Sequence, residues 1–255
     1  MITLSATQID TFLRCPLQHK FKYQDKLEPP AISPALALGS AVHSCIKFHW
    51  KKLQSGQRLS SDVLVQAFDE DFERACSVPI KENGKTEEEL RTQGQELIRA
   101  YAAYLDEVGE QDPPLAVEEK FEVPIVDLST GEKLDDVMLI GFLDRIDATG
   151  CPVEVKTARS AWSQWDADTQ LQMSLYAYAI AYQRQHDSVD GVFEVVVKNK
   201  KPRVDVLRTK RSERDFSQMF RITQNVVRAI DAGIHYQNRG FHCPMCDFVR
   251  ECRSW

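Results

Sequence analysis

No apolar run in this 255-residue sequence approaches the ~20 residues that a membrane-spanning helix requires, which excludes a helical membrane protein. The N-terminus, MITLSATQID, lacks the basic and apolar regions of an export signal, so the chain is expected in the cytoplasm with no membrane partner. Positive charge is also short. The 32 Lys and Arg against 38 Asp and Glu leave a formal net charge of −6, which speaks against binding nucleic acid by bulk charge. The balance does not exclude such binding, because carboxylates that hold a divalent cation count as negative in the sum but not in the loaded site. Lysine and arginine do cluster locally, in KNKKPR (198–203) and RTKRSER (208–214), and both runs are expected to be solvated loop. There is no internal repeat and no low-complexity segment. A hydrophobic share of 43% and a charged share of 27% are those of an ordinary globular protein, long enough for one large domain or two small ones.

The hydrophobic period changes once along the chain. Ser5 followed by Gln8 is a capping box opening a helix to about Phe12. CPLQHKFKYQDKL follows as a short helix. Residues 34–53, 61–76 and 86–108 have apolar residues at helical spacing, and Asp112-Pro113-Pro114 closes this block. Beyond it, AVEEKFEVPIV alternates as a strand, DLSTGEKLD is a polar connection, VMLIGFLDRIDA is a second strand and CPVEVKTA a third, with a tight turn at Thr149-Gly150. A helix is predicted over 168–186, strands in GVFEVVVKN and RVDVLRT, and a helix from about Ser212 to Ala232. The end, YQNRGFHCPMCDFVRECRSW, reads as loop. The order predicts an α/β or α+β core with a helical insertion and a terminal cap.

Within the hairpin, Glu154 and Lys156 lie two residues apart and share a strand face, while Val153 and Val155 face the other way. Asp144, on the preceding strand, comes to the same end of the hairpin with a small register offset; Asp147 has the opposite parity and points elsewhere. Two carboxylates and an ammonium converging where the chain is half buried are costly unless compensated, and a hard divalent cation such as Mg²⁺ would compensate them. A Glu154–Lys156 ion pair on an exposed edge accounts for the same spacing equally well. Glu118 and Glu119 open the preceding strand and are expected in solvent or behind the site.

Seven cysteines in a chain placed in the cytoplasm are not expected to form disulfides. Cys243-X2-Cys246-X5-Cys252 has ligand spacing, and Cys15, followed like Cys243 by proline, is the candidate for a fourth thiolate. Four cysteines suit zinc and an iron–sulfur cluster alike, and His235 or His242 could replace one in a zinc site. Cys45, Cys76 and Cys151 are expected as small buried hydrophobes.

Asp144 followed by Glu154-X-Lys156 on the next strand resembles the signature of the PD-(D/E)XK nuclease superfamily, and GFLDRID…VEVKTA is similar to its RecB-type branch. LGSAVHSCI resembles that branch's Gly-X-X-X-His helix at Gly39 and His43. QLQMSLYAYAI resembles its Gln-X-X-X-Tyr helix at Gln172 and Tyr176. The motifs stand in the family's order, and LSATQIDTFLRCPLQHKFKY is similar to its usual N-terminus. The resemblance covers nearly the whole chain outside about 55–112; where the family name has Pro before the Asp, this chain has Leu143. One Cys near the N-terminus with Cys-X2-Cys-X5-Cys at the other end resembles the iron–sulfur pattern of the AddB subunit and of CRISPR-associated, cluster-bearing nucleases.

The resemblance implies a restriction-endonuclease-like α/β core, a mixed central sheet flanked by helices. It implies a single nuclease domain over 1–255, with a helical insertion at about 55–112 and a cysteine-clamped cap from about 1–30 and 235–255. Asp144, Glu154, the Val155 carbonyl and His43 would hold Mg²⁺ or Mn²⁺, which activates a water and neutralises charge on the phosphate; Lys156 would orient that water or stabilise the transition state, and Gln172 and Tyr176 would steer the strand. Cys15, Cys243, Cys246 and Cys252 would bind a structural [4Fe–4S] cluster. The activity implied is exonucleolytic, on single-stranded DNA ends, with the insertion walling a hole beside the metal. Two alternatives stand beside it. One is a DNA-end binding or assembly subunit, with helicase or CRISPR-adaptation proteins as partners and a dispensable nuclease centre; the other is a zinc-capped structural protein.

Overall fold

The strand that carries Asp144 organises the sheet in a computed structural model that describes residues 2–82, 84–109 and 111–255. Strands β1 (Ile2–Leu4), β2 (Ala116–Val126), β3 (Lys133–Ile146), β4 (Pro152–Ala158), β5 (Ser188–Val197) and β6 (Arg203–Ser212) form one mixed sheet in the order β1-β3-β4-β5-β6, with β2 paired to β3. The β1–β3 and β4–β5 pairs are parallel and the others antiparallel. β2 runs along one edge of β3. β1 and β4 share the other edge, β1 against residues 137–139 and β4 against Arg145 and Ile146 alone. Residues 140–144 therefore have no ladder partner on that edge among the described residues, and Asp144 stands in this gap.

Helices cover both faces, so the central strand β5 is apolar on both sides, as a buried strand must be. On one face α1 (Ala6–Arg14), α7 (Leu171–Arg184) and α8 (Glu213–Asp231) pack around Ile9, Leu139, Leu175, Tyr178 and Phe220. On the other, α3 (Pro34–Gln54), α4 (Ser61–Ala75) and α5 (Glu87–Val108) pack around Val42, Phe68, Leu97, Val155 and Val196. A buried network fastens this second layer to the sheet. The Trp50 Nε1–H donates to the Tyr101 hydroxyl at 2.8 Å, Tyr101 donates to Glu194 at 2.7 Å, and Arg145 pairs with Glu194 at 2.6 Å while lying 3.7 Å from the Trp50 ring centre. Among the described residues no helix is long and apolar enough to cross a membrane.

Gly94 in α5 is required by this packing. A Cβ there would lie 1.9 Å from the buried Phe68 ring. Alanine's helix preference over glycine is worth about 1 kcal/mol, whereas forcing a methyl into a filled core costs about 1–3 kcal/mol, so the clash wins. Gly94→Ala should lower the melting temperature by a few degrees in a thermal scan; a higher value would show that Phe68 can move aside.

Several expectations are corrected. The capping box at Ser5 and Gln8 forms as read. The helix predicted over 168–186 is two, α6 (Gln164–Thr169) and α7, broken at the extended Gln170. The cause is the buried Arg211, which donates to the Ala167 carbonyl at 2.7 Å and the Gln170 carbonyl at 3.3 Å, taking carbonyls that a continuous helix would use. RTKRSER is therefore not solvated loop: it is the end of β6 and the start of α8, and Arg211 is only 1% exposed. Within KNKKPR, residues 199–201 form an exposed turn, while Lys198 is half buried and Arg203 opens β6. β3 starts four residues before the predicted strand, inside the predicted connection, and β5 starts three residues before its own. β1 was not predicted, because three residues show no period. The terminal loop contains a 3₁₀ turn at Cys243–Met245 and α9 (Val249–Ser254), and the short helix after Cys15 is α2 (Pro16–His19) running into a π turn. Cys45 is buried as expected, but Cys76 and Cys151 are half exposed. Asn83 and Glu110, within the helical region of about 55–112, and Met1 lie outside the described residues.

Candidate active site

Strand alternation puts Glu154 and Lys156 on one face of β4, and α7 lays Gln172 and Tyr176, one helical turn apart, against them. The Lys156 ammonium donates to Glu154 Oε1 at 2.7 Å and also to Gln172 Oε1. The Gln172 amide donates to Glu154 Oε1 at 2.9 Å and to the Tyr176 hydroxyl at 2.8 Å. These are not an exposed edge pair, since Glu154 is only 3% exposed. Its Oε1 carries all the donors, while Oε2 is buried with no partner among the described residues.

The other half of the cluster crosses from β3 to α3. Asp144 Oδ2 contacts His43 Nε2 at 2.7 Å and accepts the Val155 N–H at 3.1 Å, closing with a side chain the gap where the β3–β4 ladder stops. Its carboxyl group also reaches that of Glu154. Gly39, one turn before His43, lets α3 approach β4, where its Cβ would meet Thr157 Oγ1 at 3.2 Å. Asp147 points away as expected, its carboxylate accepting the N–H groups of Thr149 and Cys151 in the turn.

The charges are tuned against one another. Burial, reinforced by the Asp144 carboxylate and opposed by Lys156, pushes Glu154 up to about 7. Burial is the largest influence on Asp144 and would raise it, but the hydrogen bond and charge of His43, with the contacts from Glu154 and the Val155 N–H, together outweigh burial and hold it below the usual carboxylate range. His43 is the mirror case: burial would lower it, and the hydrogen bond and charge of Asp144 raise it. Burial also raises the Tyr176 phenol, which stays protonated.

The site opens into a cavity of about 400 Å³ lined by Leu36, Gly39, His43, Glu154, Val155 and Lys156, and also by Ser40, Ser44 and Lys47, which the sequence reading missed. For Ser40 and Lys47 the signal was available, since they lie three and four residues from His43 on an assigned helix; Ser44, one residue away, had none. Lys47 is held at 2.5 Å by Glu118, whose backbone has a left-handed φ of 56°, so Glu118 stands behind the cavity rather than in it. Glu119 lies in the β2–β3 ladder opposite Leu143.

Cys15, Cys243, Cys246 and Cys252 come together from the opposite ends of the chain. They line one cavity of about 540 Å³, with Cys15, Cys246 and Cys252 packed around Phe21 and Phe248. The thiols of Cys246 and Cys252 are raised by burial and by the neighbouring cysteines. Short contacts also join the chain ends. The Leu17 N–H donates to the Tyr236 carbonyl at 3.1 Å, and Asn238 Nδ2 donates to the Arg14 carbonyl at 2.8 Å. As placed, no three His, Cys, Asp or Glu among the described residues converge on one point to hold a metal ion.

No protein with a curated description matches the chain. The crystal structure of a "Putative exonuclease" from Eubacterium rectale is similar over 98% of this chain and 87% of that one, with TM-score 0.57 and 12% identity, a likeness of fold. The crystal structure of SSO0001 covers 92% of this chain and 94% of its own at 12% identity, but its TM-score of 0.36 bears no argument. The sequence model of a nuclease family matches residues 3–253. Its extent, and a mixed sheet flanked by helices, lead to one conclusion: the chain belongs to the PD-(D/E)XK nuclease superfamily.

Proposed function

We propose that this nuclease is a divalent-metal-dependent exonuclease of the RecB/AddB-like branch, acting on single-stranded DNA ends, with a structural [4Fe–4S] cluster at its termini. Residues 1–255 form a single nuclease domain in this reading, including the insertion at about 55–112. The observation that carries the metal assignment is Glu154 Oε2, a buried carboxylate oxygen without a partner beside a second carboxylate and an imidazole. Oxygen and imidazole donors suit Mg²⁺ or Mn²⁺. Asp144, Glu154, the Val155 carbonyl and His43 would hold the ion, and when bound it would supply Lewis-acid charge and an acidified water.

The chain's own residues do the rest. His43 shares a proton with Asp144 Oδ2 and must give it up to serve as a ligand. Lys156 has three N–H donors, of which Glu154 and Gln172 take two; the third is free for a phosphate oxygen, where charge builds in the transition state. Gln172 locks Lys156 and Glu154 in place. Tyr176 accepts from Gln172 and keeps its own proton to donate to the passing strand. The packing of α4 and α5 on α3, whose first half lines the cavity, supports the walled channel. The name of the Eubacterium rectale protein agrees with exonuclease activity.

An end-labelled single-stranded oligonucleotide should shorten stepwise with Mg²⁺ or Mn²⁺ and stay intact in excess chelator. Lys156→Ala should lower kcat at least about 100-fold, the effect of removing one transition-state donor, with the circular-dichroism spectrum unchanged. Cleavage that persists in chelator would sink the metal reading.

A further inference from the structure

The turn between β5 and β6 holds the charge run KNKKPR, which the catalytic centre leaves unused. The backbone places it at the end of β4. The Lys198 N–H donates to the Ala158 carbonyl at 2.7 Å, and Ala158 lies two residues, about 7 Å, beyond Lys156 along the strand. In the parallel register Thr157 is opposite Val196, and the next step of the alternation puts Lys198 on that same face. Thr157 lines the active-site cavity, and Val196 packs against α3, α4 and α5.

Arg159, Lys198, Lys200 and Lys201 have no carboxylate partner among the described residues. Lys198 is half buried without a side-chain partner among the described residues, and the charge that acts on it is a second cation, Lys85. Burial and Lys85 together hold its pKa below that of an ordinary lysine. Arg159 follows Ala158 and is exposed, as are Lys200 and Lys201, and none of the three has an ion-pair partner among the described residues. Within the run, Arg203 alone is paired, with Asp205 at 2.7 Å. Partly desolvated like charges repel, and a chain of net charge −6 has carboxylates to spare for neutralising them. An anion that arrives from outside resolves the repulsion.

We infer that Arg159, Lys198, Lys200 and Lys201 form a phosphate track that holds the backbone of a single nucleic-acid strand as it passes the end of β4, an inference that rests on the nuclease reading above. It gives an acidic protein a local basic surface beside its active site.

The test is binding of a fluorescent 20-nucleotide single strand in chelator, followed by anisotropy over a range of salt. A variant with Arg159→Gln, Lys198→Gln, Lys200→Gln and Lys201→Gln should bind at least about tenfold more weakly at 0.1 M salt. The slope of log K against log salt should become shallower by about 3, at about 0.7 for each phosphate that the variant no longer neutralises. Its kcat at saturating substrate should stay within about twofold of the parent, because no group at Glu154 or Lys156 has changed. Lys210→Gln, an exposed charge on β6 outside the turn, should leave affinity and slope unchanged. An unchanged slope in the fourfold variant, or an equal loss in Lys210→Gln, overturns the track while leaving the nuclease reading intact. A parent protein that neither binds nor cuts single strands overturns both.

Discussion

Glu154→Gln should abolish metal-dependent cleavage and, in metal-free protein above pH 7, raise the melting temperature. The loss of activity follows from the donor set: a neutral amide is a poor ligand for a hard cation, and the buried Oε2 is the atom replaced. The gain in stability follows from burial. A carboxyl whose pKa is raised to about 7 in the folded protein binds a proton that the unfolded chain has released between its ordinary value and 7. Metal-free stability therefore falls as pH rises through that window and stays low above it. Glutamine removes the charge but keeps an oxygen for Lys156 and Gln172, and its NH₂ can donate to Asp144. The gain should be on the order of 2 kcal/mol, about 4–8 °C for a chain of this size, and should vanish near pH 4–5. Melting curves of both proteins in chelator at pH 5 and pH 8 check this. Equal shifts at the two pH values would show that packing, not the buried charge, is responsible.

Loss of a terminal cysteine should have the largest effect on stability. Protein prepared without air should be brown and contain iron and sulfide. Cys15→Ser and Cys246→Ser should each remove the iron, because each supplies one ligand of a single site although their positions are far apart in sequence. A cavity of about 540 Å³ lined by all four cysteines has room for a cluster several atoms across. A cross-link between chain ends is worth about 5 kcal/mol by the entropy of closing a loop of more than 100 residues, so the melting temperature should fall by about 10–20 °C. The remaining contacts, Phe21 on Phe248 with ring centres 5.9 Å apart and Leu17 to Tyr236, keep the ends adjacent in a loosened state. Cys151→Ser, where the thiol donates to the Asp190 carbonyl at 3.0 Å, should leave the iron content unchanged. Stoichiometric zinc without iron in anaerobic protein would overturn the cluster assignment and leave the nuclease centre standing.

The amino-acid sequence by itself determined what is periodic or local. Helices α3, α4, α5 and α8 follow from apolar spacing, the first turn from its Ser5–Gln8 box, and the shared face of Glu154 and Lys156 from the two-residue alternation of a strand. The family was legible because its motifs are short stretches in a fixed order, and His43, Asp144, the Glu154–Lys156 pair and the Gln172–Tyr176 pair each lie within one strand or helix. Only the tertiary structure decided what depends on distant parts meeting. His43 and Asp144 touch across 101 positions, and no local pattern specifies that contact. Arg145 and Glu194 looked like ordinary strand charges until Trp50 and Tyr101 closed over them. Arg211 broke a helix whose own sequence has no breaker, by taking its carbonyls. The gap that admits Asp144 arises because β1 and β4 divide one edge of β3 between them, and a pairing of separate segments is a property of the assembled sheet rather than of any one strand.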